Sequence, residues 1–302
     1  MNNNILKGSL LVGLGASSYG MLATFVKMAY SEGFTTAEVT LSQFLLGFLG
    51  LSLLTVFRRK AVKSNPQPIG AKSIVKLMTA GISMGLTSIF YYMSVQYLPV
   101  SVGIVLLMQT VWMGVILEMF LHRKAPGSRK ILSVFIILIG TALATNIFKE
   151  SITVNWVGIG WGLLAALSYT ASVYASNSVE FQLPPLKRSQ FLILGGLITI
   201  ACIFHPAIGK DFSYDIFLRW GLFLALFGTI LPPLLFTKGM PLTGMGLGAI
   251  IAAVEIPVSV LMAHFILGEV VNLAQWTGIV LILFSVVLMN IKLKSSAEEP
   301  TL

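Results

Sequence analysis

Glu255 is an acid inside an apolar run. It lies near the centre of a stretch spanning 243–267 that holds only one other ionisable group, His264. Insertion scales put an ionised side chain at a bilayer centre at roughly 2.5–3.5 kcal/mol, so an intramembrane acid is read as functional by default. Pro257, two residues on, has no N–H to donate to Ala253, which is expected to keep a free carbonyl. A carboxylate and a free carbonyl at that depth suit an ammonium group, a cation or a proton. A neutral, hydrogen-bonded glutamate that only shapes the bend is the competing reading. Ser259 follows Glu255 by one helical turn.

Other polar residues recur at helical spacing. Gly13, Ser17, Gly20, Thr24 and Lys27 make one stripe, and 150 residues later Thr170, Tyr174 and Asn177 make another. Thr24, Lys27, Tyr174 and Asn177 are expected to line two walls of a water-filled cavity. Gly13, Ser17 and Gly20 serve helix packing equally well. Ser83, Thr87, Tyr91 and Ser94 form a third stripe, and Gln109 and Trp112 lie one turn apart. With Tyr91, Gln109, Trp112, Glu255 and Ser259 added, these residues form the expected solute site. Their aromatic and amide groups suit a small polar or zwitterionic solute. Glu255 and Pro257 are expected to couple or gate the movement.

The elements that must hold these residues are membrane helices. Of 302 residues, 56% are hydrophobic and 10% charged, against roughly 25% charged in soluble domains. The mean hydropathy is +0.89. This excludes an ordinary globular enzyme, a disordered chain and a disulfide scaffold. Cys202, alone, reads as a small buried hydrophobe. The three histidines are far apart and lack metal-ligand spacing, so no enzyme and no metal or other cofactor is expected. Apolar segments fall at about 6–30, 37–57, 74–95, 99–121, 131–148, 156–178, 189–206, 216–237, 243–267 and 273–292, which is ten crossings. Pro232-Pro233 is expected to kink the eighth. With the N-terminus in the cytoplasm, 16 of the 20 Lys and Arg fall inside. Both termini are then cytoplasmic, and the net charge of +9 reflects topology rather than nucleic-acid binding. Trp156, Trp220 and Trp276 read as an interfacial belt. Gly81-x-x-x-Gly85, Gly158-x-x-x-Gly162 and Gly244-x-x-x-Gly248 read as close helix contacts or as a dimer face.

The second half echoes the first. Gly15-Ala-Ser-Ser-Tyr19 resembles Ala165-Ala-Leu-Ser-Tyr169, and residues 103–143 align without gaps on 248–288. Five helices per copy is an odd number, so the second copy must be inverted. The expected fold is therefore all-α and polytopic, with ten transmembrane helices as two inverted five-helix repeats. These are 1–150 and 151–294, followed by a disordered cytoplasmic tail, 295–302.

The stretches Glu255-Ile-Pro257-Val258, Phe265-Ile-Leu-Gly268-Glu269 and Gln275-Trp276-Thr-Gly278, with Gln109-Thr-Val-Trp112 and Phe120-Leu-His-Arg-Lys124 in the first half, carry a family resemblance. The chain resembles the drug/metabolite transporter superfamily, EamA type. It departs in having Lys124 where the second half has Glu269, and Gln43 where such proteins often carry Arg. The resemblance implies a ten-helix secondary transporter in an inner membrane, often an exporter, that moves small metabolites by alternating access. Sparse intramembrane bases disfavour a polyanionic solute, so amino acids and related metabolites are expected first. A multidrug or amphiphile exporter and a non-transporting membrane receptor are the alternatives. The expected partners are a small-molecule solute and the lipid bilayer, with protons as the coupling ion.

Overall fold

A computed structural model describes residues 3–61, 69–123, 125–145, 155–180, 182–208, 212–243, 248 and 251–290. Lys124, Gly244, the 295–302 tail and the side chains of Glu118 and Asn177 lie outside the described residues.

Every regular element described is helical. In lipid, a backbone that cannot bond to water must satisfy its own N–H and C=O groups, and an apolar run does so as a helix. Seven helical stretches are long and apolar enough to cross a bilayer, and three shorter ones lie at Lys130–Ala144, Glu255–Leu267 and Leu273–Leu288. The protein is a polytopic, all-helical membrane protein. Its outer residues, among them Leu10, Leu14, Phe135 and Phe265, are exposed apolar side chains, as lipid requires.

The first half contains α1 (Asn3–Ser31), α2 (Thr36–Ala61), α3 (Ala71–Tyr97), α4 (Val100–Leu107), α5 (Thr110–His122) and α6 (Ser128–Ala144). The second contains α7 (Trp156–Ser178), α8 (Pro185–Ile203), α9 (Leu222–Ala225), α10 (Leu231–Thr243), α11 (Glu255–Leu267) and α12 (Leu273–Asn290). The segment expected over 99–121 is thus interrupted between α4 and α5. The double proline does not break its helix outright. Two π-helical turns, Phe217–Gly221 and Leu226–Ile230, flank α9, and the second directly precedes α10. Such wide turns accommodate residues that leave the ordinary bonding ladder.

The two halves interlock in matching ways. α1 packs against α10 and α11, while α7 packs against α3, α4 and α5. Ser18 Oγ donates to Phe227 O at 2.9 Å, and Ser168 Oγ donates to Ser83 O at 3.0 Å. The donors are 150 residues apart and the acceptors 144. Gly8 abuts Leu242 and Gly158 abuts Leu98, at the same two offsets. Gly81 and Gly85 lie on the α8 backbone, so this pair of small residues makes a contact within the chain.

The helix interruptions match as well. Val111 N–H bonds Met108 O, and Ile256 N–H bonds Ala253 O, each at 3.1 Å and 145 residues apart. The Ala253 carbonyl expected to be free is therefore occupied, because the chain tightens by one residue ahead of Pro257. Trp112 stands at the corresponding place in the first half, so the turn there needs no proline. Instead, Gln109 Nε2 bonds Val105 O at 3.0 Å, replacing the backbone donor that has moved to Leu106 O.

Several connections meet at one end of the bundle. Thr35 and Glu38 form a capping box at α2: Glu38 Oε2 accepts from Thr35 N at 2.6 Å, and Thr35 Oγ1 accepts from Glu38 N at 3.4 Å. Glu38 Oε1 also accepts from Ser213 N at 2.5 Å. Arg219 lies 3.5 Å from Glu32. Glu269 caps α4 from the other half, accepting from Val100 N at 2.6 Å, Ser101 N at 3.1 Å and Ser101 Oγ at 2.8 Å. Pro99 ahead of α4 offers no side-chain cap, so Glu269 satisfies donors that the helix cannot. Glu269→Ala is expected to destabilise the protein by about 1.5–3 kcal/mol, the range for hydrogen bonds to a charged group. A lowered thermal midpoint of the purified variant in detergent checks this.

Candidate functional site

A cavity opens between the halves at the level of the second helix interruption, with about 670 Å³ of empty space within it and at its mouth. Glu255, the first residue of α11, is on its wall. Tyr19 enters from α1, Tyr91 and Tyr92 from α3, and Tyr169 from α7. Gln43 on α2 and Thr229 in the second π turn close one side. Leu22, Phe44, Met84, Leu107 and Ile193 complete a largely apolar lining.

The hydrogen-bonding state of these groups separates structure from function. Gln43 Oε1 accepts from Tyr92 Oη at 2.5 Å. Thr229 Oγ1 donates to Ala225 O at 2.8 Å. Ser172, also on the wall, joins Ser83 Oγ at 3.0 Å and is part of a hydroxyl ladder between α3 and α7. By contrast, the Glu255 carboxylate and the hydroxyls of Tyr19, Tyr91 and Tyr169 have no hydrogen-bond partner among the described residues. All three tyrosines lie within electrostatic reach of Glu255. Four polar groups from four helices thus converge on one space with their bonding capacity unspent. Polar groups buried without partners are costly unless something else bonds them.

The structure brings Tyr91 and Glu255 together, and places the other described site residues expected from sequence elsewhere; the Asn177 side chain lies outside the described residues. Lys27 Nζ donates to Val95 O at 2.9 Å and Leu98 O at 2.7 Å, holding the last carbonyls of α3. Gln109 also donates to Thr141 Oγ1 at 2.7 Å and accepts from Trp112 Nε1 at 2.9 Å, so both residues fasten the interruption rather than face the cavity. Tyr174 is exposed on the outside of α7. Thr24 and Ser259 are fully buried, with hydroxyls that find no partner among the described residues, and neither lines the cavity. Pro257 shapes the tight turn beside Glu255 without lining the space. Of the α3 stripe, Thr87 and Tyr91 reach the cavity, whereas Ser94 Oγ donates to Gly158 O at 2.8 Å in the packing against α7. Among the tryptophans, Trp156 is exposed as a belt residue would be, but the Trp220 ring sits against Phe25 and Phe223 with its Nε1 buried.

Lys27→Met is therefore expected to weaken the fold by about 2 kcal/mol, through loss of charge-assisted bonds to two carbonyls. Ligand affinity should stay unchanged. Thermal unfolding and equilibrium binding, measured on the same preparation, check both parts.

Three wall residues were not picked out as site residues from sequence although signals existed. Tyr19 and Tyr169 match across the two halves at the 150-residue offset, and Gln43 is the departure from the family pattern. Thr229 carried no signal, since only the π turn ahead of Pro232 turns it inward.

Comparison with known proteins agrees with this architecture. The model of the EamA-like transporter family matches residues 6–146 and 156–291. The chain belongs to the EamA-like transporter family. Among curated relatives of this EamA-like chain, an uncharacterized transporter of Synechocystis, sll1319, is 26% identical over 323 residues, covering 96% of this chain and 95% of that protein. An uncharacterized inner membrane transporter of Salmonella typhimurium, YicL, is 29% identical over 182 residues, or 59% of each chain. A solved crystal structure shares the fold with a TM-score of 0.62 at 16% identity, covering 92% of this chain and 97% of that one.

Proposed function

We propose that this EamA-like protein is a secondary active transporter of small metabolites such as amino acids, working by alternating access around the central cavity. The observation that carries this reading is the convergence of Glu255, Tyr19, Tyr91 and Tyr169, without hydrogen-bond partners among the described residues, on one space between the halves. Several features support two inverted repeats, 1–150 and 151–294, with ten crossings. They are the paired interruptions ahead of Thr110 and Glu255, the matched serine bonds, and the left-handed residues Arg123 (φ 50) and Gly268 (φ 70) that end α5 and α11. A cavity at an interface of repeats, bounded by discontinuous helices, suits a carrier whose halves rock about a fixed site.

The excess of Lys and Arg on one side supports an inner-membrane orientation with both termini in the cytoplasm. We take export as the direction and protons as the coupling ion. The proton's seat is Glu255, which shares the cavity wall with Tyr19 from α1, Tyr91 from α3 and Tyr169 from α7, with no basic residue among the described residues of that wall. No enzyme activity, cofactor or nucleic acid enters this reading.

The test is flux in liposomes. Purified protein is reconstituted, loaded with radiolabelled amino acids, and followed with and without an imposed pH gradient. Saturable, gradient-dependent movement absent from empty vesicles is the expected result. Specific binding without movement would instead favour the receptor reading.

A further inference from the structure

We propose that the cavity selects solutes by a single positive charge on an aromatic or apolar body, an organic amine or ammonium cation, and that a carboxylate on the solute weakens binding. This rests on the transporter reading above and on the same site, and it moves the favoured solute from amino acids to amines that lack a carboxylate.

The charge inventory of the wall carries it. Among the described residues, Glu255 is the one formally charged side chain there, and no Lys, Arg or His lines the space. Lys27, the base nearest in sequence to the α1 wall, spends its ammonium protons on Val95 O and Leu98 O. Gln43 is neutral, and its carbonyl oxygen is taken by Tyr92. A solute carboxylate would find no counter-charge in a space whose one acidic side chain, among the described residues, is Glu255. Burying a carboxylate without a counter-charge is costly. A monocation would neutralise Glu255 instead.

The rings supply the second half of the match. Tyr19, Tyr91 and Tyr169 line the same cavity as Glu255 and lie within its electrostatic reach, and Tyr92 and Phe44 line it too. Aromatic faces attract ammonium groups within about 6 Å of the ring centroid, more strongly where water is excluded. Free phenol oxygens accept N–H bonds from a primary amine. Leu22, Met84, Leu107 and Ile193 offer an apolar bed for the remainder of the solute.

Four probes that share a phenylethyl skeleton and differ in charge separate the alternatives: phenethylamine (cation), phenylalanine (zwitterion), 2-phenylethanol (neutral) and 3-phenylpropionate (anion). Each is titrated into the purified wild-type protein in detergent by calorimetry at neutral pH. Phenethylamine is expected to bind at least tenfold tighter than 2-phenylethanol and 3-phenylpropionate, and tighter than phenylalanine. In Glu255→Gln the preference for the cation should collapse to within about threefold of the neutral probe, the Coulombic partner being gone. Tighter binding of phenylalanine than of phenethylamine overturns the proposal, as does equal binding of all four probes or no binding of phenethylamine up to millimolar concentration. The wild-type series decides without the variant, so a folding defect in Glu255→Gln changes nothing. Liposome flux of phenethylamine is measured separately. Binding without flux leaves the charge selectivity standing and removes the carrier reading. Flux of phenylalanine without binding of phenethylamine does the reverse.

Discussion

Glu255→Gln is expected to reduce solute transport between tenfold and a hundredfold and to leave the fold intact. The substitution keeps the shape of the side chain and removes its charge. Because Glu255 has no protein partner among the described residues, no group of the fold is left unpaired by the change, and thermal stability should hold. What is lost is a charge-assisted interaction with the solute, about 1.5–3 kcal/mol, which is roughly tenfold to hundredfold in affinity. Flux that remains should no longer respond to an imposed pH gradient, since the proton has lost its seat. Initial rates in liposomes at several gradients, with thermal midpoints on the same batches, check the three statements together. A variant that transports with wild-type gradient dependence would place coupling elsewhere.

The second large effect concerns folding. Gly195→Ala is expected to cost about 3 kcal/mol or more and to abolish recovery of well-dispersed protein from detergent. A methyl group at Gly195 would run into the carbonyl of Met78, and one at Gly81 into the carbonyl of Leu192. The backbones of α3 and α8 therefore touch where they cross, and each element is held in turn by its other neighbours, so neither can yield as a flexible side chain would. Overpacking costs about 1–3 kcal/mol where side chains can shift, and more where they cannot. The control is Gly160→Ala on α7, where an added methyl meets nothing within 4 Å. There the substitution should be neutral or stabilise by up to about 1 kcal/mol, the helix-propensity difference. Fluorescence-detected size exclusion and thermal unfolding of the pair make the comparison. A well-behaved Gly195→Ala would mean that the α3–α8 crossing is looser than described.

The membrane architecture was legible because lipid imposes it locally. An apolar run must be helical to satisfy its own backbone, so the segment expected over 156–178 is α7 to the residue. The place of Glu255 within an apolar helical run followed from the same pattern, and Pro257 marked the disturbance beside it. The register of Tyr19 against Tyr169 was visible as well, although its consequence for the cavity was not.

Which polar residues are free was decided only by tertiary structure. Lys27, Gln109 and Tyr91 look alike in sequence: each is a polar residue at helical spacing in an apolar helix. Lys27 is claimed by carbonyls 68 and 71 residues away, and Gln109 by a threonine 32 residues away, whereas the Tyr91 hydroxyl meets no hydrogen-bond partner among the described residues. The same holds for the interruption at 108–109, which has no proline to announce it and depends on a glutamine replacing a backbone donor. Helix formation in lipid depends on a residue's immediate neighbours, and one sequence determines it. Spending a hydrogen bond depends on a partner from another helix, and only the packing of all the helices settles which groups are left for a solute.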